Sequence, residues 1–196
     1  MPKVVDHDQR RSEITVAAAA AIAGCGRKGA TMRRIAELAN CTTGRLNHYF
    51  DSHDDILVAA LRHVHLSAAN RMRQSSVGLE GIDALRACVL EALPLDNQRL
   101  GEWKVWIEFW GTALFDAQLA KENEERYREW RSLLRTLLSA AFPGSGLHVT
   151  VETERLNALI DGLGLHLTLR PTKTARLLAI QTIERHFNTL SGEFRS

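Results

Sequence analysis

Four neighbouring residues, Gly44, Arg45, Asn47 and His48, carry the groups that read base edges in a DNA groove. Arginine donates two parallel bonds to guanine, an amide matches adenine, an imidazole donates or accepts, and a glycine lets the backbone come close. Thr43 lies at the edge of the same face. A second set of residues suggests small-molecule binding. Trp103, Trp106 and Trp110 repeat at i, i+3 and i+7 with Phe109 beside them, and such an aromatic face either holds a quaternary ammonium by cation–π attraction or packs as core. Asp161 and His166, in a later apolar stretch, are candidates to face the same ligand, although Asp161 equally suits a hydrogen-bonded helix contact. No H-E-x-x-H, metal-spaced Cys/His cluster or phosphate loop occurs, and His63 and His65, two apart, diverge on a helix. The expectation is therefore no enzyme, no catalytic residue, no metal and no cofactor.

The reader residues need elements to position them. Thr31 suits an N-cap, and Met32 to Ala39 makes a short helix with Ile35, Ala36 and Ala39 on one face. Ala36 is small enough for a second helix to cross closely. Asn40 falls where the turn requires a positive φ, which asparagine tolerates better than most side chains. Cys41 is the next inward position, and Thr42 caps a second helix reaching about Phe50. Leu46, Tyr49 and Phe50 then point inward, leaving Gly44, Arg45, Asn47 and His48 outward. This is a helix-turn-helix pattern, with an ordinary helical hairpin and a solvated polar face as its alternative.

The remainder reads as helices joined by short breaks. Ile14, Ala17, Ala18, Ala21 and Ile22 form a stripe that ends at Gly24 and Gly26 and suits a helix crossing the reader. The same stretch, with Ile22-Ala23-Gly24-Cys25, also has the outline of a lipoprotein signal, but Asp6, Asp8 and Glu13 are acidic where a leader is basic. Ser52 and Asp55 form a capping box opening a helix over 53–73, with Leu57, Leu61, Val64, Ala68 and Met72 on one face. Further helices are expected at about 79–93, 97–114, 117–142, 148–169 and 173–191, with no strand pattern and no repeat. The last two carry abundant apolar residues, and Leu156, Ile160, Leu163, Leu167, Ile180, Ile183 and Phe187 are expected to form a homodimer interface, with a large monomer core as the alternative.

The motif of residues 31–57 resembles the TetR family of bacterial regulators. The matching residues are Thr31, Ile35-Ala36, Thr42, Gly44, His48-Tyr49-Phe50 and Ile56-Leu57. Asn40 stands where that pattern has glycine, and His53 where it has lysine. The segment WIEFWGTALFDAQLAKENEERYREWRSLLRTLL, residues 106–138, and Ala158-Leu-Ile-Asp-Gly-Leu are similar to the BetI-type branch, although Gly164 replaces a frequent tryptophan. The resemblance implies a ligand-responsive repressor that binds a palindromic operator as a homodimer. It further implies base contacts from Thr43, Gly44, Arg45, Asn47 and His48, and phosphate contacts from Thr31, Arg33, Thr42, Tyr49 and His53. Its effector would be choline-like, with Trp103, Trp106, Phe109, Trp110, Asp161 and His166 as pocket residues. Gly164 suggests that the pocket is larger than in the branch.

Composition fits this reading. Residues 1–50 hold eight Lys/Arg against four Asp/Glu, whereas the chain as a whole carries only +2, so positive charge concentrates where the reader lies. Cys25, Cys41 and Cys88 are odd in number and widely spaced, as small apolar residues in a reducing compartment would be. No run reaches transmembrane length. The sequence thus predicts an all-α protein, with a three-helix DNA-binding domain over 1–52 and a helical ligand-binding and dimerisation domain over 53–196. Its partners would be double-stranded DNA, a small molecule and a second copy, in the cytoplasm and with no membrane. A helical protein-interaction module or a helical enzyme are the alternatives.

Overall fold

The computed structural model describes residues 7–144 and 148–193, and these are all-α, with no strand among them. The helices are α1 (His7–Gly29), α2 (Met32–Leu38), α3 (Thr43–Tyr49), α4 (His53–Ser75), α5 (Gly81–Ala92), α6 (Asn97–Ala113), α7 (Ala117–Ala141), α8 (Val149–Leu169) and α9 (Lys173–Glu193). Each lies within a few residues of its sequence expectation. The chain divides into two compact units. One comprises the described part of Met1–Leu66 with Lys104–Glu122, and the other Ser67–Trp103 with the described part of Asn123–Ser196. The first unit thus takes in the first part of α4 and the second half of α6, and Ile56, Leu57, Ala60, Val64 and Val105 from these helices share its core.

In the first unit, the α1 stripe Ile14, Ala17, Ala18, Ala21 and Ile22 is buried with Ile35, Ala36, Leu46, Phe50, Ile56, Leu57 and Val105. Ala17, Ala18 and Ala21 of α1 and Ala36 of α2 are small enough for the helices to approach closely, and burial of each larger aliphatic side chain contributes about 1.5–3 kcal/mol. Regular α1 conformation breaks at Gly26, whose φ of 68° is left-handed. Thr31 and Thr42 cap α2 and α3, accepting bonds from the backbone N–H groups of Arg34 and Arg45 at 3.3 Å each. Between the helices Asn40 has φ 50°, the one positive-φ non-glycine among the described residues. Ser52 caps α4, its Oγ accepting from the Asp55 backbone N–H at 3.0 Å, while its hydroxyl donates to the Asp55 carboxylate at 2.8 Å in place of the backbone N–H of a full capping box.

In the second unit α5 and α8 pack on α9. Leu85, Cys88, Val89, Leu134, Leu138, Leu156, Ile160, Leu167, Ile183, Phe187 and Leu190 are buried there. The C-terminal part of α4 is held by Arg71, which donates to Glu91 at 2.9 Å and to both carboxylate oxygens of Glu102 at 2.7 and 2.5 Å. Burial alone would lower the Arg71 pKa, but Glu102 and then Glu91 carry it above its ordinary value. Leu156, Ile160, Leu167, Ile183 and Phe187 are already buried almost fully within one chain, which is what a large monomer core gives. Cys25 is exposed, its thiol turned back to the Ala21 carbonyl at 3.0 Å. The space at Gly164 is filled rather than enlarged, since a Cβ there would lie 1.9 Å from the Trp103 ring.

Candidate DNA interface and effector-unit cluster

On α3, Thr43, Gly44, Arg45, Asn47 and His48 are all exposed, while Leu46 between them is fully buried. One seven-residue helix therefore turns its apolar side to the core and five groove-compatible residues to solvent. Its seating is fixed at both ends. Thr42 caps the start, and at the end the Arg11 guanidinium stacks over the Phe50 ring, 4.3 Å from its centroid, while donating to the Tyr49 carbonyl at 2.5 Å. A pre-set helix loses little entropy on docking, so its polar face is available for base recognition.

Of the expected phosphate contacts, Thr31, Arg33 and Thr42 are exposed and Tyr49 is half-buried. Arg33 pairs with Glu37 at 3.1 Å, an i,i+4 surface pair that a phosphate can displace at little cost. His53 is half-buried and makes a contact inside the chain. Its Nε2 lies 2.7 Å from the Ala30 carbonyl, which can only accept, so that nitrogen is the donor. The ring thereby ties the start of α4 to the residue before Thr31, which a lysine in that place would not do in the same way. Arg27, Lys28, Thr31 and His53 together line a cleft of about 390 Å³.

Two residues that the motif did not reveal brace the reader. Glu108 of α6 accepts from the Arg27 backbone N–H at 3.1 Å, and a Cβ on Gly26 would sit 2.9 Å from the same carboxylate. His7, at the start of α1, packs its ring against His48 and Tyr49 at centroid distances of 5.9 and 5.8 Å. Neither contact has a local sequence signal, because each joins positions separated by dozens of residues.

The expected effector residues divide between the units. Phe109 is core with Leu61 and Leu119, and Trp106 packs on that cluster and edge-on to His65 at 6.2 Å. Trp110 is half-buried in the same unit. Trp103 belongs to the other unit, buried over Gly164 with its indole N–H donating to the Ala92 carbonyl at 2.8 Å, which makes it a satisfied core residue. His166 is exposed. Asp161 is half-buried and accepts from the Tyr127 hydroxyl at 2.9 Å and the Asn157 amide at 3.3 Å. Burial pushes the Asp161 pKa up to about 6 against the lowering effect of those two bonds, and burial followed by the neighbouring Asp161 raises that of Tyr127. Asn157 was legible as an i,i+4 neighbour of Asp161, whereas Tyr127 was not.

A capped two-helix reader with a left-handed turn, braced by a long first helix and followed by a separate helical unit, defines the class of helix-turn-helix transcriptional regulators. Residues 14–60 match the family profile for bacterial regulatory proteins of the tetR family, and residues 81–192 the C-terminal profile of BetI-type transcriptional repressors. The chain is 30% identical to the HTH-type transcriptional regulator PksA of Bacillus subtilis, over 98% of this chain and 95% of that one. It is 32% identical to the HTH-type transcriptional regulator BetI of Burkholderia ambifaria, over 84% and 85% of the two chains. Among solved structures, a transcriptional regulator from Saccharomonospora viridis in complex with choline superposes with a TM-score of 0.85 at 22% identity, over 92% of this chain and 96% of that one. The chain belongs to the TetR family of transcriptional regulators, with a C-terminal part of the BetI type.

Proposed function

We propose that this protein is a homodimeric repressor that reads a palindromic operator with α3 and is released by a small organic cation. The single observation that carries the DNA reading is the outward face of α3. Thr43, Gly44, Arg45, Asn47 and His48 are exposed on a helix otherwise anchored by Leu46 and Phe50. Arg45, Asn47 and His48 read bases, Gly44 admits the close approach, and Thr31, Arg33, Thr42 and Tyr49 set register on phosphates. Titration of a duplex from upstream of the protein's own gene tests this. Arg45→Ala is expected to weaken binding by about 10- to 100-fold, the worth of one bidentate base contact. Unchanged affinity in both Arg45→Ala and His48→Ala would remove α3 from the interface.

For the effector, Asp161 is the support: a carboxylate in an apolar helix, bonded by Tyr127 and Asn157, suits a cation. The choline bound by the Saccharomonospora viridis regulator is consistent with that chemistry. An effector that binds one conformer of the second unit more tightly shifts α4, which has residues in both units, and so carries the readers out of register. Thermal-shift titration with choline, betaine aldehyde, fatty acyl compounds and aromatic drugs tests it. A response to a quaternary ammonium that Asp161→Asn abolishes supports the assignment, and a response confined to acyl or aromatic compounds contradicts it.

For the dimer, the apolar side chains left exposed on α8 and α9 are the support. Leu169, Leu177 and Leu178 are 73%, 60% and 57% exposed, beside Leu165 and the half-buried Leu163 and Ile180. These residues, rather than the buried ones expected from sequence, are the faces that a second copy covers.

A further inference from the structure

We propose that His7 is a further residue of the DNA interface: it positions His48 and Tyr49 by ring contact, and with His48 forms an imidazole pair that takes up protons as operator phosphates approach. The proposal rests on the DNA reading above and extends the interface from α3 to the start of α1.

The geometry is a three-ring cluster. His7 lies 5.9 Å from His48 and 5.8 Å from Tyr49, while His48 and Tyr49 meet edge-on at 5.2 Å and 78°. His7 and His48 are both exposed, and Tyr49 is half-buried. His48 stands on the groove face, so the ring in contact with it stands at that face's edge. Aromatic pairs at such separations restrain one another's orientation. His48 therefore enters the groove with its ring direction set from α1, an element that the helix-turn-helix motif leaves out.

Imidazole is the side chain whose charge changes between pH 5 and 8, and a duplex presents one phosphate charge per about 1.7 Å of axis. The charged and titratable groups near the pair in the chain, or sharing a cleft with Tyr49, come from α1, α3 and α4. On α1 they are Asp8, Arg10 and Arg11. On α3 there is Arg45, Asp51 follows it, and α4 adds Asp55, Arg62 and His63 in the Tyr49 cleft. Arg10 pairs with Glu13, Arg11 is held by Tyr49 and Phe50, and Asp55 by Ser52. Bound DNA adds negative charge from the open side, which favours the protonated rings. Affinity should then rise as pH falls, by up to about tenfold per pH unit for each proton taken up.

The test uses the full chain and a duplex that it has itself selected from a randomised pool. Dissociation constants are measured at pH 6 and pH 8 across a salt series for the wild type, His7→Ala, His7→Phe and Arg45→Ala. The wild type should bind more tightly at pH 6, with a salt slope steeper by about 0.9 for each imidazolium that engages a phosphate. His7→Phe keeps a ring against His48, so it should retain the pH 8 affinity and lose part of the pH and salt-slope difference. His7→Ala should lose both that difference and several-fold in affinity at pH 8. Wild-type affinity and pH dependence in both His7 variants would overturn the role of His7 alone, provided that Arg45→Ala still weakens binding. Failure of the wild type to enrich any duplex would overturn the DNA reading and this inference together.

Discussion

Two residues carry consequences that their types alone did not announce. Gly164 gives the Trp103 indole its place, so Gly164→Ala should destabilise the chain by about 1–3 kcal/mol through overpacking, read by denaturant unfolding with tryptophan fluorescence. Stability unchanged within experimental error would mean that Trp103 repacks freely. Asp161 has a folded-state pKa of about 6, above the ordinary carboxylate value. Its favourable contribution is therefore complete below the unfolded pKa and is lost as pH rises through 6. Asp161→Asn should gain stability relative to the wild type by about 2–3 kcal/mol between pH 4 and pH 7, measured by urea unfolding. A constant difference would show that the carboxylate titrates normally. The outward face of α3 was legible because Gly44, Arg45, Asn47 and His48 flank Leu46, the inward position set by helical spacing. The contacts of His7, Glu108 and Tyr127 were not, because each is created by a partner on another helix, and the bond from His53 was not, because its partner is a backbone carbonyl that has no sequence identity.

At the scale of elements, nearly all of the helical organisation followed from periodicity and caps. Thr31, Thr42 and Ser52 cap their helices as expected. The α1 stripe is buried from Ile14 to Ile22. The turn is the informative element. Asn40 adopts φ 50°, so Asn40→Gly should stabilise the reader by up to about 1 kcal/mol and Asn40→Val should destabilise it by about 1–2 kcal/mol, in thermal or urea unfolding. The reverse order would show that the turn relaxes out of the left-handed region. The aromatic stripe of α6 was the ambiguous element. Helical spacing placed Trp103, Trp106 and Trp110 on one face, but the helix passes from one unit into the other, so Trp103 joins a different core from Trp106 and Phe109.

For the whole molecule, the apolar excess of α8 and α9 was visible in the sequence, but which residues carry it was not. Periodicity cannot distinguish the side of a helix facing its own core from the side facing a second chain. Burial shows which side faces the chain's own core, leaving Leu169, Leu177 and Leu178 outward while Leu156, Ile183 and Phe187 turn in. Leu177→Glu with Leu178→Glu should give a helical monomer by sedimentation, with operator affinity reduced about tenfold or more as the two readers cease to be linked. A variant that remains dimeric would place the interface elsewhere.

The central claim is that α3 reads sequence, and it is tested most directly by selecting duplexes from a randomised pool with the wild type and with Arg45→Ala in parallel. The wild type should enrich an inverted repeat whose half-site centres lie about 34–36 Å apart, one helical turn, and Arg45→Ala should lose preference at one symmetric pair of positions. Enrichment of the same motif with the same stringency by both proteins, or of none by the wild type, would contradict it.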